Sequence, residues 1–143
     1  MKIRLDYVTN SSSSSYLIAY KALPEFDQET ISKYPVLKYF GSFMEQALFA
    51  SDDYETDAGE VYSTKDELDD YFLDYYGYGD YDTIDKILAH DEELRNHYWC
   101  LIEWLDKGFK LLSKRVGYDN QYCMDLFDTL AEDKENFVIL EGE

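Results

Sequence analysis

The stretch "EELRNHYWCLIEWLDKGFKLLSKRV" at residues 92–116 joins two kinds of sequence pattern at Gly108. Before that glycine, apolar residues recur at helical spacing and predict an amphipathic helix over 92–107, with Asp91 as its N-cap. These residues are Leu94, Tyr98, Leu101, Ile102 and Leu105. After Gly108, residues 109–116 are strand-like, although they could also extend the helix. A strong helix next to a strand-like run favours an α+β fold.

Strand-like runs also lie near both ends of the sequence. Residues 2–8 alternate polar and apolar side chains, as a half-buried strand does. A second apolar run, "YLIAYKAL", follows at 16–23, after the serines of Ser11–Ser15. Strand, small polar turn and strand predict an N-terminal hairpin. Residues 136–142 predict a closing strand.

The rest of the chain predicts further helices. A short helix over 28–34 has Asp27 as its N-cap, and another runs over 35–50. Thr64 and Glu67 have capping-box spacing at the start of a helix that ends at Gly77, with residues 68, 72, 75 and 76 as its apolar side. Helices over 83–89 and from Asp119 to 131 complete the set, and 51–62 reads as a loop. The sequence predicts one α+β domain over 1–143, with a small, mainly antiparallel sheet and about five helices.

Composition limits the possible partners. The 143 residues contain 13 Lys and Arg against 31 Asp and Glu, for a formal charge of −18. Such a polyanion is repelled by nucleic acid and by anionic membranes, so we expect direct binding to neither. We find no apolar run near the ~20 residues of a membrane span and no secretory leader. Cys100 and Cys123 both lie among apolar residues and predict two buried thiols. We therefore expect a cytoplasmic protein.

The segment Asp6–Tyr16, "DYVTNSSSSSY", is the most unusual local sequence in the chain. It resembles the opening of a group of small uncharacterised bacterial and phage proteins that share D-[FY]-V-T-N-S-S-S-S-S-[FY]. The resemblance covers the first 16 residues. It implies a bacterial or phage source, and thus the host cytoplasm if the chain is phage-encoded, but no activity. Physically, Ser11–Ser15 favours a tight turn, and a phosphorylated or oxyanion-binding loop is the alternative.

Most of the negative charge is concentrated in the middle of the chain. Residues 51–93 contain 16 acids, opposed only by Lys65 and Lys86, and so carry −14 of the total −18. Seven of the 15 tyrosines lie in the same segment. Tyrosine is common at protein interfaces, and helix carboxylates about 5–6 Å apart can imitate a row of phosphates. The predicted partner-binding residues are Asp52, Asp53, Glu55, Asp57, Asp66, Asp69, Asp70, Asp74, Tyr75, Tyr76, Tyr78, Asp80, Tyr81 and Asp82.

These features predict a binding protein that is not an enzyme and needs no metal or cofactor. Its acidic surface would dock onto a basic nucleic-acid-binding protein. The most concrete version is a phage-encoded inhibitor of a host defence nuclease, an anti-CRISPR-like nucleic acid mimic. The alternatives are a small acidic housekeeping or accessory protein, as a homodimer that buries aromatic residues, and an enzyme whose site is assembled from distant residues.

Three smaller patterns have ordinary interpretations. Glu93 and His97 are four residues apart and predict a helix-surface pair. "DYDTID" at 80–85 resembles part of a calcium loop, but it lacks the glycine and the final glutamate that such a loop requires. The only basic patch, which balances the acidic surface or assists dimer packing, consists of Lys107, Lys110, Lys114 and Arg115.

Overall fold

The computed structural model describes residues 13–21, 27–37, 48–49 and 55–142. This part of the chain forms an α+β fold, which confirms the predicted class. Its strands are β1 (Ser13–Tyr20), β2 (Glu60–Tyr62), β3 (Lys110–Gly117) and β4 (Phe137–Glu141). The helices for which both ends are described are α1 (Gln28–Lys33), α2 (Lys65–Tyr76), α3 (Ile84–His90), α4 (Glu92–Asp106) and α5 (Gln121–Leu130).

The four strands form one antiparallel sheet in the order β2-β3-β1-β4. Strand β1 pairs with β3 along its whole length, from Ser13 opposite Gly117 to Tyr20 opposite Lys110. The sheet therefore takes in Ser13–Ser15, which corrects the predicted turn at these three residues. These residues pair with β3 along one edge, and Ser13 and Ser14 are buried. The predicted strand over 2–8, and with it the N-terminal hairpin, lies outside the described residues.

Both faces of the sheet are covered by helices. Neighbouring residues along a strand point to opposite faces, so each strand contributes to both clusters. On one face, Ile18 and Leu112 pack in a cluster with Phe127 and other residues of α5. On the other, Ala19 and Leu111 pack with Phe72 of α2 and with residues of α3 and α4. The sheet is thus the middle layer, and the second face positions α2 beside the strands.

Several predicted helix ends are confirmed by their hydrogen bonds. Thr64 Oγ1 accepts a bond from the Glu67 amide at 3.2 Å, and the Glu67 side chain accepts one from the Ser63 amide at 3.3 Å. Asp27 and Asp91 cap α1 and α4 in the same way. Gly108 follows α4 with φ +91°, a conformation that favours glycine. Helix α5 is capped by Asn120, whose side chain accepts a bond from the Cys123 amide, and not by the predicted Asp119.

Other predictions are corrected by tertiary contacts. Residues 60–62 are strand β2 and not loop, because they pair with Leu111–Ser113. The strand-like interpretation of residues 109–116 is confirmed by strand β3, and the alternative of a longer helix is not. Cys123 is buried as predicted, but Cys100 is exposed. Most of the predicted helix over 35–50 lies outside the described residues. Among the described helices, none is long and apolar enough to cross a membrane.

Candidate functional site

A groove of about 700 Å³ lies between helix α2 and one end of the sheet. Its floor is a row of paired residues that crosses all four strands: Glu60 lies opposite Ser113, Ser113 opposite Leu17, and Leu17 opposite Glu141. The row has carboxylates at both ends and a small and an apolar residue in the middle. The described lining is Ser15, Tyr16, Leu17, Asp57, Glu60, Val61, Tyr62, Glu67, Asp70, Tyr71, Asp74, Tyr75, Tyr76, Ser113 and Glu141.

Helix α2 forms the wall opposite this floor. Residues 67, 70, 71, 74 and 75 all line the groove, and their spacing of three and four places them on one helical face. The adjacent face carries Leu68 and Phe72 into the core. Burial of that apolar stripe therefore fixes the rotation of the helix and aims three acids and two tyrosines at the groove.

The groove is strongly acidic. Six carboxylates line it, and its described lining includes no lysine or arginine. Three of the acids already accept hydrogen bonds, since Glu60 accepts from the Tyr62 hydroxyl at 2.6 Å, Asp57 from the Arg115 amide at 3.0 Å, and Glu67 caps α2. The side chains of Asp70 and Asp74 form no hydrogen bond or ion pair within the described part of the chain. These two like charges stand one turn apart without a described counterion.

Tyrosine rings form a continuous aromatic patch beside these acids. The ring centroids of Tyr62 and Tyr71 are 4.9 Å apart, those of Tyr71 and Tyr75 are 5.5 Å apart, and those of Tyr75 and Tyr76 are 5.1 Å apart. The Tyr75 side chain is 53% exposed, so part of this patch is open to a ligand. Burial raises the pKa of Tyr71 to about 12 and raises the pKa of Tyr62 and Tyr76 as well. The phenols therefore stay neutral at physiological pH.

The structure brings five of the predicted binding residues together in the groove. Asp57, Asp70, Asp74, Tyr75 and Tyr76 line the groove. The remaining described ones do not line it: Glu55, Asp66, Asp69, Tyr78, Asp80, Tyr81 and Asp82. Asp52 and Asp53 lie outside the described residues.

Several of the acids and tyrosines outside the groove have structural contacts. Asp69 accepts hydrogen bonds from the Tyr98 hydroxyl at 2.5 Å and from the Lys65 ammonium at 2.8 Å. Asp82 pairs with Lys86 at 2.8 Å. The Tyr81 ring stacks on His90 with a centroid distance of 4.0 Å. These contacts within the protein explain why some of the acids and tyrosines of residues 51–93 are present, and no binding partner is needed to explain them.

Some lining residues could not be selected from the sequence. Glu141 and Ser113 reach the groove only through the sheet register, and nothing near them in the chain signals this. Tyr71 and Glu67 carry a signal, because they share a helical face with the predicted Asp70, Asp74 and Tyr75.

Two further predictions need correction. His97 is buried, with 7% of its surface exposed, because α4 packs this side against Phe72. It therefore does not form a surface pair with Glu93. Lys114 is buried as well, and its ammonium donates to the Asp57 carbonyl, so the basic residues 107, 110, 114 and 115 do not form one surface patch.

No group of three or more His, Cys, Asp or Glu side chains within the described ranges is arranged to hold a metal ion. No family model, curated protein or solved structure matches the chain.

Proposed function

We propose that this protein binds a basic segment of a partner protein in the groove, and that it acts by binding and not by catalysis. The observation that carries the proposal is the groove of about 700 Å³, whose described lining has six carboxylates, five tyrosines and no basic residue. The partner surface is expected to be one that otherwise binds nucleic acid.

Electrostatics favour a cationic ligand. A concave surface of one charge sign focuses the field and attracts the opposite charge. Asp70 and Asp74 repel each other in the free protein, and a cation between them removes this repulsion. Because this interaction is between exposed charges, it weakens as salt screens it.

The tyrosine patch favours arginine over lysine. A guanidinium group is planar, so it can stack on the exposed Tyr75 ring while its N–H groups donate to a neighbouring carboxylate. Asp70 and Asp74 line the same groove as Tyr75, so the groove offers both carboxylates and an exposed ring to a bound arginine segment. Lysine has a compact ammonium and cannot form the paired contacts of the guanidinium fork.

Surfaces rich in arginine are typical of proteins that bind phosphate backbones. A protein that occupies such a surface prevents nucleic acid from binding to it. Inhibition of a host defence nuclease by a phage-encoded mimic is the specific form of this proposal. The phage-like N-terminal sequence and the acidic segment are its support.

The direct test is titration of the protein with fluorescent nine-residue peptides that are rich in arginine or in lysine, followed by anisotropy. We expect the arginine peptide to bind more tightly, and its affinity to fall at least about tenfold between 50 and 500 mM salt. Equal affinity for the two peptides would contradict the role of the tyrosines. Salt-independent binding would contradict the role of the charges.

Matched variants separate the groove from general charge. Asp70→Asn with Asp74→Asn removes two charges from the groove, and Asp80→Asn with Asp128→Asn removes two exposed charges elsewhere. We expect the first pair to weaken arginine-peptide binding about tenfold and the second to have an effect of less than about threefold. Tyr75→Ala and Tyr78→Ala make the same comparison for exposed tyrosines inside and outside the groove. Equal losses in both members of either comparison would overturn the proposal.

A further inference from the structure

The floor of the groove has a defined length and a defined order of charges. It is the row Glu60, Ser113, Leu17 and Glu141, with one residue from each of the four strands. Because neighbouring strands lie about 4.8 Å apart, the backbones of Glu60 and Glu141 are about 14 Å from each other. The row therefore has a carboxylate at each end and no charge between them.

Helix α2 runs along this row, from β2 towards β4. Its first turn is joined to the end of β2, since the Glu67 side chain accepts a hydrogen bond from the Ser63 amide. At its other end, burial is the main cause of the raised pKa of Tyr76, and the charge of Glu141 on β4 adds to it. The part of the helix that lines the groove, from Glu67 to Tyr75, is about 12 Å long. Floor and wall thus have similar lengths, and the groove is elongated in this direction.

The dimensions of the groove favour an extended ligand. A helix with its side chains is about 10–12 Å wide, so a piece about 14 Å long would occupy about 1,100 Å³ or more. This exceeds the groove volume of about 700 Å³. Residues four apart are separated by only about 6 Å along a helix. In an extended segment they are about 13 Å apart and point to the same side, which matches the two ends of the floor.

The floor residues indicate which side chains such a segment carries. Glu60 accepts a hydrogen bond from Tyr62, but a carboxylate has about four acceptor positions and can also accept from a guanidinium. At the other end, Glu141 is 8% exposed, so salt screens a charge pair there less than one on the surface. Between the two carboxylates, Leu17 and the small Ser113 form a surface that suits an apolar side chain.

We propose that the groove recognises an extended segment with two arginines four residues apart and an apolar residue midway between them. This inference rests on the proposed binding of a basic segment, and it adds the conformation and the sequence spacing of that segment. One arginine pairs with Glu60 and the other with Glu141, while the middle side chain packs on Leu17. The two intervening residues point away from the floor.

The experiment compares fluorescent nine-residue peptides of identical composition for binding to the full chain, followed by anisotropy. Each contains two arginines and one leucine among serine, threonine and glycine. One peptide has the arginines four residues apart with the leucine midway. The others have them adjacent, or three residues apart and so on opposite sides of an extended chain. We expect the first peptide to bind at least about tenfold more tightly, because each of the others reaches only one end of the floor.

The outcomes separate this inference from the proposed function. Equal affinities across the set would overturn the spacing and leave the binding of basic segments in place. Failure of the arginine-rich peptide of the direct test to bind at all would contradict the proposed function, and this inference with it. A proline between the first arginine and the leucine prevents a helix but permits an extended segment, so it should change affinity less than about threefold. A tenfold loss would show that the bound segment is not extended.

Variants of the floor locate the two arginines. Glu60→Gln and Glu141→Gln each remove one charge from the groove, and Glu103→Gln removes an exposed charge on α4 as the matched control. Each floor variant should weaken binding of the four-spaced peptide about tenfold and abolish its advantage over the peptide with adjacent arginines. Circular dichroism checks that each variant folds, and Glu60, which is exposed, provides the test if Glu141→Gln does not fold. An advantage that survives the floor substitutions, or is lost in Glu103→Gln, would overturn the inference.

Discussion

Asp69 and Asp70 are neighbours in helix α2, yet their surroundings differ in every respect. Asp69 accepts hydrogen bonds from Tyr98 and Lys65, and its side chain is only 19% exposed. Asp70 is exposed, lines the groove and has no described hydrogen bond or ion pair. Successive helix positions are separated by about 100°, so one step along the chain moves a carboxylate from a structural contact to the candidate site. Composition alone therefore overestimates how many of the acids are available to a partner.

The largest effect on stability is expected from a substitution on the buried side of α2, whose packing holds both aspartates in place. Phe72 is fully buried and its ring contacts Tyr76 and Tyr98, each at a centroid distance of 5.2 Å. Phe72→Ala should lower the free energy of unfolding by about 3–5 kcal/mol because it leaves a cavity in the core. Urea denaturation followed by circular dichroism would measure this. A loss below 1 kcal/mol would mean that the core does not fix the helix, and that Asp69 and Asp70 are not held apart.

The next effect is a pH dependence from His97, which packs against the same Phe72. Because burial lowers the folded-state pKa to about 4 from 6.5, the unfolded chain binds a proton first as the pH falls. This contribution to stability is complete above about pH 6.5 and is lost progressively toward pH 4, with about 2 kcal/mol lost between pH 7 and pH 5.

Urea midpoints of the wild type and of His97→Gln at pH 7 and pH 5 test this dependence. The variant should lack this part of the pH slope. Parallel pH profiles for the two proteins would show that the histidine is not the titrating group. The loss of stability at low pH would then come from carboxylates that are protonated as the pH falls. In that case the acids on α2 would contribute to stability, against the contrast drawn between Asp69 and Asp70.

A smaller effect is expected at Asp69 itself. Asp69→Ala removes the acceptor of the Tyr98 hydroxyl and should cost about 2 kcal/mol, since hydrogen bonds to charged groups are among the stronger ones. The exposed Lys65 contributes little to this figure. In a Tyr98→Phe background the same substitution should cost less than about 1 kcal/mol, because the hydroxyl is already absent. Equal costs in both backgrounds would show that the two side chains are not coupled.

The sequence is most informative where the signal is local. The apolar stripe of α4, the Thr64 capping box and the stop at Gly108 follow from residues within a few positions of one another, and all are observed. The groove floor joins Glu60 to Glu141 through the pairing of four strands, and no local pattern encodes that register. The predicted turn at serines 13–15 is wrong for the same reason. Their local preference is for a turn, and pairing with β3 overrides it.

The smallest effect on stability, and the sharpest contrast with Asp69, is expected at Asp70. Asp70→Asn removes one of two like charges spaced i,i+4 with Asp74, so it should leave stability unchanged or raise it by about 0.3 kcal/mol at low salt. In 1 M salt the gain should disappear, since screening already weakens the repulsion. Denaturation at 20 mM and 1 M salt, with Asp69→Asn as the neighbouring control, measures the difference. A loss of 1 kcal/mol or more would mean that Asp70 has a structural partner. The structural contact would then explain why an aspartate stands at this position. A carboxylate that stabilises nothing in the free protein is the kind that is available to bind a ligand.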